Sequence, residues 1–243
     1  MLPHPRLLAI VHQAHSRTGR VGRLLEQQGC LIDRCCPNHG DKLPDPRHYD
    51  GVLMFGGPMS ANDDTTMPGI AAELRWLDQV LEARTPFLGV CLGAQLAVRA
   101  LGGTVWLHPK GLAEIGYSRI TPTEAGREFF PEPMHVYHWH REGFDLPKDG
   151  VLLAQGECFE NQAFVYGDHL YGLQFHPEVT LEMKRVWTVK AAERLKLPGA
   201  QPREQHLDNH PVYDPSLGQW TERFLERWLA HIEAPHPPKN AAE

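Results

Sequence analysis

The feature that most restricts the fold is a series of short, unbroken apolar runs in the first hundred residues, at 7–11, 51–55 and 86–90. A strand wetted on one face alternates apolar and polar side chains. A continuous apolar run of about 4–8 residues marks a strand covered on both faces, as in a parallel sheet between helical layers. The intervening segments supply those layers. Residues 19–28 read as a helix closed by Gly29, and residues 70–83 place Leu74, Leu77 and Leu81 at helical spacing. Residues 92–101 form a helix that stops at Gly102-Gly103, and Leu31-Ile32 begins a further strand with a fainter signal.

From residue 114 the pattern changes. Segments 114–121, 134–139, 151–154, 163–166 and 170–175 are strand-like, with few helical stretches between them, before helices return at 181–195 and 218–232. Strands without crossover helices pair antiparallel through short connections. The expected fold is α/β: a doubly wound, mostly parallel sheet with an antiparallel extension. With 243 residues, no internal repeat and no linker-like stretch, residues 1–233 read as one domain. The polar, proline-rich tail 234–243 is expected to be disordered.

Charge and cysteine usage exclude several classes. Lys plus Arg number 24 against 30 Asp plus Glu, a net charge of −6, which argues against a nucleic-acid partner. No apolar run approaches the ~20 residues that span a bilayer, and the run at 7–11 is shorter than the roughly 7–15 residues of a secretory signal. Five cysteines with no CxxC pair give neither a disulfide framework nor a zinc or thioredoxin-like spacing. A soluble, cytoplasmic protein with reduced thiols and no membrane partner is expected.

Three segments carry chemistry. Gly89-Val90-Cys91-Leu92-Gly93 joins a buried strand to a helix and has the form of a nucleophile elbow with cysteine as nucleophile. Cys91 then sits at a helix N-terminus, where unpaired N–H groups favour thiolate, and Gln95 shares its helix face. Taken alone, the pentapeptide also suits a small buried hydrophobe at a glycine-rich strand end. In Gly172-Leu173-Gln174-Phe175-His176-Pro177-Glu178, an extended chain puts His176 and Glu178 on one side, so the carboxylate can orient the imidazole. Alone, this is also a surface His and Glu at a strand end. Gly56-Gly57-Pro58-Met59-Ser60 follows the third strand, where a backbone N–H can face a ligand at the carboxyl edge of the sheet. Together the three make a set for acyl transfer.

These segments, with Glu114-Ile115-Gly116, Trp139-His140 and Asn161-Gln162-Ala163-Phe164, resemble the class I glutamine amidotransferases, and most of all the stand-alone proteins similar to the glutaminase domain of GMP synthase. The resemblance spans about residues 5–232. It implies a flavodoxin-like core with Cys91, His176 and Glu178 as catalytic triad, Gly57 and Leu92 as oxyanion-hole donors, and Gln95 helping to hold glutamine. It also implies that the strand end Trp139-His140-Arg141 contacts the substrate's α-amino and α-carboxylate groups. Arg141 stands where many relatives carry a small residue, so it either crowds that end or adds a carboxylate contact.

The implied activity is thiol hydrolysis of glutamine or another γ-glutamyl amide, either supplying ammonia to a separate synthase subunit or acting alone as a γ-glutamyl peptidase. A rival of another class is a non-catalytic binding or redox-sensing protein of the same fold, although a sensor has no need of the His-x-Glu pair. An α/β-hydrolase ranks last, because there the acid precedes the histidine. No P-loop is present, and no cofactor is expected. Of the histidines in the 134–140 segment, His138 and His140 share a face and His135 points away. No neighbouring acid in the sequence completes a recognised site, so no metal is expected either.

Overall fold

The computed structural model describes residues 4–233; the tail 234–243 lies outside the described residues. Strand β1 (Arg6–Ile10) leads through helix α1 (Gly19–Gln27) into β2 (Leu31–Cys35). Strand β3 (Gly51–Met54) leads through α2 (Pro68–Ala83) into β4 (Phe87–Val90) and α3 (Leu92–Ala100). Then come β5 (Val105–Leu107), β6 (Glu114–Pro122), β7 (Met134–His140), β8 (Glu142–Phe144), β9 (Gly150–Gly156), β10 (Asn161–Tyr166) and β11 (Leu170–Leu173). Helices α4 (Leu181–Lys190), α5 (Arg203–Asp208) and α6 (His210–Glu233) close the described chain.

One nine-stranded sheet runs β2-β1-β3-β4-β11-β10-β9-β6-β7, with β5 and β8 paired separately. The first five strands are parallel, and β11, β10, β9, β6 and β7 pair antiparallel in turn. The parallel half therefore has the flavodoxin-like order 2-1-3-4-5, and the antiparallel half is the expected extension. Each buried strand feeds two cores. Leu7 and Ala9 pack with Val21 and Leu25 of α1 and Trp220 and Phe224 of α6. Leu8 and Ile10 pack with Ile70, Trp76 and Leu77 of α2 and Leu96 and Val98 of α3. This two-sided burial is why these strands read as unbroken apolar runs.

Several boundaries differ from the sequence pattern. Strand β11 ends at Leu173, not at residue 175, and the helix expected over 181–195 stops at Lys190, where Ala191 leaves helical geometry before a short 3-10 turn, Ala192–Lys196. Helix α6 begins at His210, well before residue 218, and contains Pro215. A proline inside a helix lacks a donor, so the sequence pattern begins only beyond it. Asp214 offsets that loss, because it accepts hydrogen bonds from Arg20, Lys184 and Tyr117 and draws the first turns against the protein. Strands β5 and β8 and helix α5 are too short to show a period.

Helix α5 puts His206 under the sheet, with Nδ1 2.9 Å from the Tyr137 hydroxyl and Nε2 3.0 Å from the Gln201 carbonyl. Burial pushes the His206 imidazole below its ordinary 6.5. The unfolded chain therefore binds a proton that the folded chain does not, and stability should fall as pH drops below about 6.5. Urea titrations at pH 7 and pH 5 should show a lower midpoint at pH 5, and His206→Gln should shrink that difference. An unchanged difference in the variant would remove His206 from the cause.

Candidate active site

Cys91 occupies the corner between β4 and α3 at φ 51° and ψ −105°, a conformation that non-glycine residues rarely adopt. The flanking glycines let α3 start hard against the sheet. A Cβ on Gly89 would meet the Ala94 nitrogen at 2.7 Å, and one on Gly93 would meet the Met54 carbonyl oxygen at 2.0 Å. Hydrogen bonds hold the corner: the Cys91 N–H donates to Leu173 O at 2.7 Å, and Cys91 O accepts from Gln95 N–H at 3.0 Å. Such over-determination is what keeps a strained residue in place.

His176 and Glu178 lie just beyond β11, which parallels β4. They sit in a turn, not on an extended strand end, and Pro177 stands at its second position. The pair still meets, with His176 Nδ1 2.7 Å from Glu178 Oε1 and both residues buried. Burial by itself lowers an imidazole pKa, but the Glu178 charge and the neighbouring Cys91 outweigh it, so that of His176 is raised well above its ordinary value. The turn is fastened from behind. Arg20 donates from its backbone N–H to Glu178 O and from its guanidinium to Pro177 O, and the buried Lys184 ammonium donates to Val179 O.

The loop after β3 completes the surroundings of the thiol. Neither the Gly57 N–H nor the Leu92 N–H donates to a protein acceptor among the described residues, and both residues line the cleft that holds Cys91. His12, at the end of β1, bridges the Gly56 carbonyl at 3.2 Å and the buried Glu73 carboxylate at 2.9 Å. In a trans peptide the C=O and N–H point oppositely. Fixing the Gly56 carbonyl toward His12 therefore aims the Gly57 N–H away from His12.

The structure brings the other expected residues to the same cleft. Gln95, Trp139, His140 and Arg141 line it together with Cys91. Gln95 donates to Gln174 Oε1 at 3.1 Å and Glu142 O at 3.0 Å, so its own carbonyl oxygen remains for a ligand. Arg141 is exposed at the rim. Sequence reasoning missed four residues. Arg194, from the turn after α4, also lines the cleft and donates to Pro58 O at 3.3 Å. Glu142 accepts from the Ser60 hydroxyl at 2.8 Å. His12 and Glu73 support the glycine loop. Only His12 left a signal, as a polar residue ending a buried strand at the carboxyl edge.

One expectation needs correction. The paired histidines do have an acidic neighbour, because antiparallel register sets Glu114 of β6 opposite His140 of β7. Glu114 Oε2 lies 3.2 Å from His140 Nε2 and 3.7 Å from His138 Nδ1. Glu114 and His140 stand at the far ends of two consecutive strands, so only the pairing register, not local spacing, brings them together. His135 points away, as expected, and stacks on Tyr213.

The family profile "Glutamine amidotransferase class-I" matches residues 25–189. The glutamine amidotransferase-like protein YfeJ of Salmonella typhimurium is 33% identical over 186 residues, covering 73% of this chain and 77% of YfeJ. Gamma-glutamyl peptidase 3 of Arabidopsis thaliana is 31% identical over 145 residues, covering 56% of this chain and 57% of the peptidase. A glutamine amido transferase of Methylobacillus flagellatus superposes with a TM-score of 0.89 at 28% identity, covering 99% of this chain and 100% of that structure.

Proposed function

The chain belongs to the class-I glutamine amidotransferase family, and on that footing we propose that it hydrolyses the γ-carboxamide of glutamine or of a γ-glutamyl amide with Cys91 as nucleophile. The observation that carries this reading is the strained Cys91 corner lying beside a buried imidazole that a carboxylate orients at 2.7 Å. The Cys91 thiol gives its proton to His176 as the sulfur attacks the γ-carbonyl carbon, and the carbonyl π electrons move onto oxygen. The Gly57 and Leu92 N–H groups receive that oxyanion, the first held in aim by His12. His176 passes a proton to the departing ammonia or amine as the C–N bond breaks, leaving a γ-glutamyl thioester. The neutral imidazole then takes a proton from water, which attacks the thioester and releases glutamate and the thiol. Glu178 holds the ring and supports its positive form.

Within this chemistry, one observation favours a hydrolase that needs no synthase subunit. Arg141 and Arg194 both face the cleft and raise its positive charge, and burial with the Arg141 charge lowers the Arg194 pKa. A second carboxylate on a γ-glutamyl conjugate would meet them, whereas free glutamine has none beyond its α-carboxylate. The likeness to a gamma-glutamyl peptidase agrees with this. Arg141→Gly should therefore raise KM for an acidic γ-glutamyl peptide about three- to tenfold with kcat spared, the pattern of uniform binding lost. Steady-state kinetics of the isolated chain on that peptide and on glutamine test this. Equal KM values in wild type and variant would take Arg141 out of binding. Activity that depends on an added synthase would favour the ammonia-supplying role.

A further inference from the structure

We propose that Glu114, His138 and His140 form a binding site for a divalent transition-metal ion of the zinc type, beside the candidate catalytic cleft and independent of its thiol. Three atoms converge: His138 Nδ1 and His140 Nε2 are 3.2 Å apart, and Glu114 Oε2 lies 3.7 Å from the first and 3.2 Å from the second. With zinc–ligand bonds of about 2.0–2.1 Å, two ligands of a tetrahedral ion stand roughly 3.3–3.4 Å apart. The trio already has the size of one face of that tetrahedron.

The surrounding contacts are those that ligands keep. His140 Nδ1 is 3.0 Å from the Glu142 carbonyl, which can only accept, so this nitrogen carries a hydrogen, and in the neutral ring Nε2 presents its lone pair inward. Gln162 Nε2 donates to Glu114 Oε2 at 2.9 Å and steadies the carboxylate. Outer hydrogen bonds of this kind fix tautomer and orientation in metal sites. His138 is fully buried, its Nε2 has no hydrogen-bond partner, and its polar contacts are confined to the trio. The proposed hydrolysis gives it no task.

Hydrogen counting points the same way. A single hydrogen on His138 Nδ1 can serve either His140 Nε2 or Glu114 Oε2. In either case a nitrogen lone pair and a carboxylate oxygen remain 3.2 Å apart between two buried side chains. A cation among the three resolves the conflict, and that cation is either one more proton or a metal ion. Two imidazoles and one carboxylate suit zinc and its neighbours better than magnesium or calcium, which prefer oxygen ligands in larger number.

The test uses the full chain with Cys91→Ala, so that no thiolate at the cleft competes for metal, first stripped by chelator and then given Zn²⁺ or Co²⁺. The expected result is one zinc per chain after gel filtration, a raised Tm with Zn²⁺, and a cobalt spectrum with strong tetrahedral visible bands and no sulfur charge transfer. Adding His138→Gln or Glu114→Gln should weaken zinc binding at least tenfold and abolish the Tm shift. Failure of the Cys91→Ala chain to hold zinc would leave the trio bound by a proton only and overturn the proposal. So would binding that survives both added substitutions, or a cobalt spectrum showing a sulfur ligand or octahedral geometry. Should His138→Gln not fold, the Cys91→Ala cobalt spectrum decides by itself.

Discussion

Cys91→Ala is expected to lower hydrolysis of glutamine and γ-glutamyl amides by on the order of 10⁴- to 10⁶-fold in kcat. The size follows from the chemistry. Without the sulfur no thioester forms, and what remains is binding, the two N–H donors and an imidazole facing water, a far poorer nucleophile than the thiolate. The fold should survive, because Cys91 is held by backbone bonds to Leu173 and Gln95 that alanine retains. Alanine also fits the space that cysteine fills. A Tm within a few degrees of wild type, together with lost turnover, separates chemistry from folding. A variant keeping even a tenth of wild-type kcat would remove Cys91 as nucleophile.

The second large effect concerns the imidazole. His176→Ala should lower kcat by about 10²- to 10⁴-fold, the range for loss of a general acid–base group. Glu178→Gln should cost less, because the amide can still hold Nδ1 while losing the charge. That charge is the chief influence raising the His176 pKa against burial. Removing it must lower the pKa, so the limb of the kcat/KM profile that reports His176 should move to lower pH. A merely structural Glu178 would reduce activity without moving the limb. An undiminished rate in His176→Ala would return the turn to an ordinary loop.

The parallel half of the sheet was legible because burial on both faces leaves a mark within each strand: 7–11, 51–55 and 86–90 each correspond to one central strand. The elbow was legible for a similar reason, since two glycines around one cysteine leave a local trace of the close approach between α3 and β3. Boundaries that depend on tertiary contacts were not. Helix α6 runs through Pro215 while Asp214 is tied to Arg20 and Lys184, residues on other helices. The turn at Pro177 defeats the extended-strand argument for His176 and Glu178, although the two side chains meet all the same. Glu114 shows the limit most clearly. Only the register of β6 on β7 puts it against His138 and His140, and no local pattern encodes that register. Arg194 reaches the cleft from a short turn after α4 for the same kind of reason.

The proposed hydrolysis requires that Cys91 bond covalently to the γ-carbonyl of the substrate. Peptide mass spectrometry after treatment with a glutamine-mimicking chloroketone detects that bond. One equivalent of label is expected, carried by Cys91, slowed by excess glutamine or γ-glutamyl peptide and absent in Cys91→Ala. Label on Cys158 with Cys91 untouched, or labelling at Cys91 that substrate does not slow, would remove Cys91 as the nucleophile.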